Sequence, residues 1–108
     1  MDRIFRDNLY YTLVKVFMKN IILSKLDEQR MGGYELMKFL NEKYKIPISA
    51  GTIYSCLHSM ERRRLIEANC NEDKRVFRLT AKGKRLLEEF RKSKRRIMNL
   101  TEKLLMDI

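Results

Sequence analysis

Apolar residues recur at helical spacing near the start of the chain and again after a glycine pair. The first series runs from Leu9 to Leu26 and predicts a helix over residues 8 to about 26. Its apolar stripe is broad, and a helix that is apolar over more than one face has to be covered on more than one side. Met31 to Gly33 interrupt the pattern, and a second helix follows from Tyr34.

A third helix is predicted from Ser49 to about Arg63. Ser49 is a good N-cap, because its hydroxyl can accept a hydrogen bond from an amide of the first turn, and Ile48 and Ile53 have the spacing of a hydrophobic staple. The inner face is apolar and consists of Ile53, Cys56, Leu57 and Met60. The outer face carries small polar and basic residues, namely Thr52, Ser55, Ser59, Arg62 and Arg63, flanked by Tyr54 and His58. Such a face suits close approach to a polar, anionic surface.

Two short alternating runs after the third helix predict a β-hairpin. They cover residues 65–70 and 76–79, on either side of the polar residues 71–74. Lys74 and Arg75 are expected at the tip of the hairpin.

Thr80 is expected to cap a last helix that reaches towards the C-terminus. Seven of its residues alternate four and three positions apart, the a/d register of a coiled coil: Leu86, Phe90, Ser93, Ile97, Leu100, Leu104 and Asp107. The pattern favours a helix that pairs with a second copy of the chain, and the alternative is a helix that packs on its own domain. The predicted dimer interface consists of Leu13, Phe17, Leu86, Phe90, Ile97, Leu100 and Leu104.

The length and composition fit one small globular domain. The chain has 108 residues, of which 44% are hydrophobic, and a chain this short buries a single core. We expect one domain over residues 1–108, with a core of about residues 8–80 and a dimerisation helix over 81–108. No apolar run approaches the ~18 residues of a membrane span, and the first six residues lack the apolar segment of a signal peptide. A cytoplasmic protein without a membrane partner is therefore expected.

The charge of the chain indicates an anionic partner. There are 24 Lys and Arg against 14 Asp and Glu, a net charge of +10. Residues 49–108 hold fifteen basic and eight acidic side chains, so most of the excess lies in the second half. A small domain of this charge repels itself in isolation. Nucleic acid is the first candidate partner, and an anionic membrane surface is the second.

Three helices, a hairpin and a long last helix describe a mainly α winged helix-turn-helix fold with a small β-wing and a dimerisation element. Short motifs extend this interpretation: GYEL, SAGTIY, ME, LI and LT at residues 33–36, 49–54, 60–61, 65–66 and 79–80. In this order and spacing they resemble the PadR family of transcriptional regulators, over about residues 21–87. The length is similar to that of the shorter PadR subtype, with a single C-terminal helix.

The chain departs from the PadR pattern at two motif positions, in the length of the wing and in having no tryptophan. The wing is short, which argues against deep insertion into the minor groove. Ser55 stands where family members usually have a proline after the GTIY motif, and Arg64 replaces the glycine before Leu65. If the helix still ends in a left-handed residue, a side chain at Arg64 costs up to ~1 kcal/mol. The chain has no tryptophan, so it lacks the stacked-tryptophan ligand site of some members of the subtype.

The resemblance implies a sequence-specific double-stranded-DNA-binding regulator, a repressor that acts as a homodimer, without enzymatic activity or a cofactor. The residues expected to contact DNA are Tyr34, Ser49, Thr52, Tyr54, Ser55, His58, Arg62, Lys74 and Arg75. For each of them the alternative is an ordinary solvated side chain. Nothing in the sequence places a nucleophile or carboxylate beside His58, so no catalytic role is assigned to it.

The cysteines and the basic run of the last helix have two interpretations each. Cys56 and Cys70 are expected to be small apolar core residues, and the alternative is a thiol switch. With His58 they supply three ligands, whereas a structural zinc site needs four, so no metal is expected. The basic run over residues 91–96 either contacts DNA or, as we favour, pairs with Asp2, Asp7 or acids of a partner chain.

Two further functions stay open from the sequence. One is a nonspecific architectural or chromatin-like DNA-binding protein, which the net charge favours and the small polar recognition face disfavours. The other is a basic protein-interaction adaptor whose winged helix binds no DNA. PadR relatives often bind small aromatic or lipophilic effectors near the dimer interface, so the resemblance also implies such a partner for this chain.

Overall fold

Four helices and three strands form the part of the chain that the computed structural model describes, residues 3–71 and 74–108, with side chains for residues 8–70 and 74–108. In chain order they are α1 (Arg3–Glu28), β1 (Met31–Gly32), α2 (Gly33–Tyr44), α3 (Ala50–Arg62), β2 (Ile66–Asn71), β3 (Lys74–Leu79) and α4 (Ala81–Met106). This arrangement confirms the predicted winged helix-turn-helix fold. The helices of these ranges include none with the length and apolar character of a membrane span.

The wing is a three-stranded antiparallel sheet in the order β1-β3-β2. Ala68 of β2 lies opposite Phe77 of β3, and Met31 of β1 lies opposite the same phenylalanine. The sequence pattern predicted the hairpin and treated Met31 to Gly33 as an interruption only. The structure corrects this, because the free edge of β3 pairs with two of those residues before α2 begins at Gly33.

The core lies between the first three helices and the sheet. Its fully buried members include Ile22 and Leu23 of α1, Leu36 and Leu40 of α2, Ile53, Leu57 and Met60 of α3, Phe77 of β3 and Leu87 of α4. The predicted inner face of the third helix is thus confirmed for Ile53, Leu57 and Met60. The first helix is longer than predicted, since it extends from Arg3 to Glu28.

Helix α4 is attached to α1 by an aromatic contact and an ionic one. The rings of Phe17 and Phe90 meet edge to face, with centroids 6.3 Å apart. Asp27 accepts hydrogen bonds from Lys84 Nζ at 2.7 Å and Arg91 Nη1 at 3.2 Å. The hydrogen bond from Lys84, supported by Arg91, lowers the pKa of Asp27. A lowered carboxyl pKa contributes stability at neutral pH, which is lost as the pH falls through the pKa of the folded state.

The start of α4 is fixed on the corner between α3 and β2. Thr80 Oγ1 accepts a hydrogen bond from Gly83 N at 3.0 Å, which confirms the predicted cap. The same hydroxyl donates to the carbonyl oxygen of Arg64 at 2.7 Å. A Cβ atom at Gly83 would clash with the carbonyl oxygen of Leu65. The helix can therefore begin this close to the corner only because residue 83 is a glycine.

Arg64 has a left-handed backbone, with φ at +61°. This is the position at which the PadR pattern has a glycine. We expect Arg64→Gly to raise the free energy of unfolding by up to ~1 kcal/mol, because glycine adopts a positive φ without the steric cost of a side chain. Urea unfolding of both proteins measures the difference.

Arg63→Gly is the matched control for Arg64→Gly. Arg63 is also an exposed arginine, and its φ of −83° is one that any residue adopts. Glycine at this neighbouring position relieves no strain, so we expect no gain in stability. A lower unfolding midpoint for Arg64→Gly than for Arg63→Gly would contradict the account of this corner.

Candidate nucleic-acid interface

A tight turn joins α2 to α3 and sets the angle between them. Lys45 has a left-handed backbone, with φ at 54°, and its amide donates to Asn41 O at 3.0 Å. The side chain of Asn41 then accepts a hydrogen bond from Ile48 N at 2.8 Å. Ser49 caps α3 as predicted, since its hydroxyl accepts from Thr52 N at 3.2 Å. Side chains and backbone together hold α3 as a rigid second helix of a helix-turn-helix.

One side of α3 is free of contacts with the core and forms a continuous exposed stripe. It consists of Ala50, Gly51, Tyr54, Ser55, His58 and Arg62. Four of the residues predicted to contact DNA, Tyr54, Ser55, His58 and Arg62, lie on this stripe. The structure therefore brings them together on one surface, and DNA contact by each of them stays a prediction.

Thr52 does not point freely outward, and here the sequence interpretation was wrong. It is half-buried, and its hydroxyl lies 2.9 Å from Ser49 Oγ and 3.2 Å from Tyr11 OH of α1. This chain of three hydroxyl groups links α1 to the N-terminus of α3. Helical periodicity places Thr52 on the outer side of α3 but carries no information about α1, which covers that position.

Tyr54 joins the two helices of the helix-turn-helix. A Cβ atom at Gly33 would lie only 2.6 Å from Tyr54 Cε1, so the tyrosine ring packs against the glycine at the start of α2. The ring is nevertheless 40% exposed. The GYEL and GTIY motifs thus meet in space, and this contact was not predicted.

A cavity of about 490 Å³ opens between α2, α3 and the wing. Tyr34, Tyr54, Lys74 and Arg75 line it, together with the acidic Glu35. The N-cap of α2 is Gly32, which offers no side chain to the amides of the first turn. Free amides and the positive end of a helix dipole favour an anion such as a phosphate. Three predicted site residues outside α3, Tyr34, Lys74 and Arg75, therefore lie around one cavity next to it.

Lys74 and Arg75 lie at the end of the hairpin, next to residues 72–73, which are outside the described part of the chain. They begin β3, where they lie opposite Asn71 and Cys70. Arg75 Nη2 donates to Glu61 Oε2 of α3 at 2.6 Å, and its guanidinium carbon lies 5.4 Å from the centre of the Phe77 ring. An arginine held this way ties the wing to α3, whereas Lys74 is simply exposed.

The two cysteines differ in their surroundings. Cys56 is half-buried against the core, and burial raises the pKa of its thiol. Cys70 is exposed, so its assignment to the core was wrong. Alternation along β2 puts Cys70 on the same face as Ile66 and Ala68, but the core ends before it.

The basic run of α4 pairs with acids of the same chain. Arg91 contacts Asp27 and Glu88, each at 3.2 Å, and Lys92 lies 3.6 Å from Glu89. The sequence indicated Asp2 and Asp7 as partners. Asp2 and the side chain of Asp7 lie outside the described residues. Arg91 and Lys92 are therefore paired, but with acids other than the predicted ones.

The residues predicted for a dimer interface fall into two groups. Leu86, Phe90 and Ile97 of α4, with Phe17 of α1, are half-buried within one copy of the chain. Leu13 is 47% exposed, Leu100 58% and Leu104 59%. The first part of the heptad pattern thus covers the chain's own α1, and the last part of it faces solvent.

Comparison with known proteins agrees with this geometry. The family model described as the transcriptional regulator PadR-like family matches residues 22–89. A crystal structure of a PadR-like transcriptional regulator from Bacillus cereus superposes with a TM-score of 0.78 at 28% identity, over 87% of this chain and 96% of that one. A PadR family transcription regulator from Clostridium difficile gives 0.75 at 26% identity, over 82% and 98% of the two chains. No curated protein matches the chain.

Proposed function

Because this chain belongs to the PadR-like family of transcriptional regulators, we propose that it is a sequence-specific repressor that binds double-stranded DNA as a homodimer. The exposed stripe of α3 carries the proposal. It is a rigid helix face of small or flat polar side chains, with cationic groups beside it. Such a protein acts by occupying an operator and performs no chemistry of its own.

The stripe fits the major groove of DNA. That groove is ~12 Å wide and admits an α-helix. Ser55 and His58 are exposed near the middle of α3, where their polar atoms reach base edges, and Tyr54 lies beside them. Arg62 at the end of the helix and Lys74 on the wing supply positive charge for phosphates. Base contacts carry the sequence information and phosphate contacts fix the position of the protein.

Exposed apolar surface supports the homodimer. Leu9, Leu13 and Val16 of α1 face solvent, and so do Leu100 and Leu104 of α4. Contiguous exposed apolar patches mark interaction sites. In a two-fold dimer each α4 covers apolar surface of the partner, and the two copies of α3 reach half-sites about one helical turn, ~34–36 Å, apart.

A cavity between α1, α2 and α4 supports an effector as part of the proposal. Its volume is about 340 Å³, and four aromatic rings line it: those of Phe17, Phe39, Tyr44 and Phe90. Arg91 and Lys94 are also part of its lining. An aromatic or lipophilic molecule, preferably an anionic one, fits this chemistry. Its binding at the base of α4 would change the spacing of the two recognition helices.

We expect the double variant Ser55→Ala, His58→Ala to lose ~5–140-fold in operator affinity. Two hydrogen bonds to bases contribute about 0.5–1.5 kcal/mol each, and 1.4 kcal/mol corresponds to a tenfold change. Affinity for random DNA should stay nearly unchanged. Fluorescence anisotropy with both DNAs measures this contrast.

Thr101→Ala is the control for this variant, because it removes an exposed hydroxyl group from α4. It should bind both DNAs as the wild type does. An equal loss of affinity for operator and random DNA in the double variant would contradict base recognition by this face of α3.

A further inference from the structure

A second groove lies beside α3, between that helix and α1. Its volume is about 580 Å³. The α3 side is formed by small residues that include Gly51, Ser55 and Ser59, and the α1 side by Lys15 and Lys19. Among the described residues no acidic side chain lines this groove. The two lysines therefore stand beside a floor in which the hydroxyl groups of Ser49, Thr52, Ser55 and Ser59 alternate with apolar side chains of Met18, Cys56 and Met60.

The packing of α1 on α3 holds the two lysines at this groove. Tyr11 OH shares a hydrogen bond of 3.2 Å with Thr52 Oγ1. Lys15 Nζ lies 5.5 Å from the centre of the Tyr11 ring. Lys19 lines the same groove as Cys56 of α3. Lys15 and Lys19 are one turn apart on α1, so they share one face of that helix.

The charges of Lys15 and Lys19 are not neutralised by ion pairs with the described residues. The ion pairs in residues 8–70 and 74–108 engage other cations, such as Lys25, Arg75 and Arg91. Small neighbours on α3 leave room for a bulky anion to come within reach of both ammonium groups. A phosphodiester backbone has the charge and the extended shape for this groove.

The two grooves beside α3 match the two strands of one major groove. The first, between α2, α3 and the wing, contains Tyr54, and the second contains Gly51 and Ser55 from the other side of the exposed stripe. A helix inserted in the major groove has one DNA strand along each side. We propose that Lys15 and Lys19 bind phosphates of the strand on the α1 side, while α2 and the wing bind the other strand. This inference rests on the proposed function and adds a binding site to it.

The double variant Lys15→Gln, Lys19→Gln tests the proposal through the salt dependence of operator binding. It removes two cationic groups per subunit, so the slope of log affinity against log salt should become less steep by about 3–4 for a dimer. Affinity for operator and random DNA should fall alike. The control is Arg95→Gln, Arg96→Gln, which removes the same charge from exposed positions on α4 and should leave most of the slope intact.

A strand-resolved measurement identifies the contact itself. Single methylphosphonates, which are neutral, are placed along each strand of the operator. For the wild type we expect loss of affinity at one cluster of positions on each strand per half-site. For Lys15→Gln, Lys19→Gln the loss should vanish on one strand and persist on the other. Lys15→Arg, Lys19→Arg keeps the charges and should restore both clusters.

The outcomes separate this inference from the function on which it rests. Lys15→Gln, Lys19→Gln could keep both clusters of sensitive phosphates and show the same salt dependence as the α4 control. That result would overturn the assignment of Lys15 and Lys19 but leave the proposed function intact. A wild-type protein that binds no operator would overturn the proposed function and this site with it. If the variant loses both clusters of sensitive phosphates, the two lysines maintain the structure of the interface and do not contact one DNA strand themselves. That result also contradicts the proposal.

Discussion

We expect the replacement of Leu100 and Leu104 by aspartate to convert the proposed dimer to monomers and to lower operator affinity by ~10³-fold or more. Both side chains are more than half exposed in the single chain, so the change leaves the core of the domain intact. In the proposed dimer the two aspartates of each subunit would lie in the apolar interface formed by α4, and the burial of unpaired charges is strongly unfavourable. A monomer reaches only one half-site, so its affinity for the operator should fall towards its affinity for nonspecific DNA. Nonspecific DNA is bound at least ~10³-fold less tightly than a specific site.

Analytical ultracentrifugation of the wild type and of the double variant measures the oligomeric state. The control is Arg95→Gln, Asn99→Asp, which changes the net charge by the same amount at exposed positions that are neither three nor four residues from Leu100 or Leu104. It should remain dimeric and keep its operator affinity. A wild-type protein that sediments as a monomer at micromolar concentration would contradict the homodimer.

Operator affinity of the wild type should fall by ~10³–10⁵ between 50 and 200 mM salt. This range holds for about six to ten phosphate contacts, whose bound counterions are released on binding. Each subunit offers Arg62, Lys74, the amides at the start of α2 and, by our inference, Lys15 and Lys19. Titrations at several salt concentrations give the slope directly.

Lys74→Ala is the cleanest change in the wing for this measurement. Lys74 is exposed, whereas Arg75 is held by Glu61, so an alanine at residue 75 would also leave a carboxylate without its partner. Removing one phosphate-binding cation from each subunit should make the slope less steep by about 2. It should weaken binding to operator and random DNA equally. An unaltered slope would mean that the wing does not touch the DNA backbone.

Local patterns predicted the elements that position the interface. Spacing of apolar residues indicated the inner face of α3, Ser49 and Thr80 marked the starts of two helices, and alternation indicated the hairpin. Each of these signals depends on neighbours within a few positions of the chain. Because these signals are local, they could be read from the sequence, and the structure confirms the elements that they predicted.

The errors concern contacts between residues that are distant in sequence. Tyr11 shares a hydrogen bond with Thr52. Glu61 forms an ion pair with Arg75, and Cys70 lies outside the core. Neither helical nor strand periodicity reports which other element covers a position. The groove of Lys15 and Lys19 was missed for the same reason, although their spacing of four residues on a predicted helix was a signal that they share one face.

Selection of bound fragments from random double-stranded DNA, followed by affinity measurement on the selected site and on its scrambled form, tests sequence-specific binding by a homodimer most directly. At physiological salt we expect the selected site to bind at least ~10³-fold more tightly. It should contain two-fold-related half-sites with centres about 10–10.5 base pairs apart. A ratio near one would contradict this account and indicate a nonspecific DNA-binding protein, and no binding to either DNA would indicate a protein-interaction module.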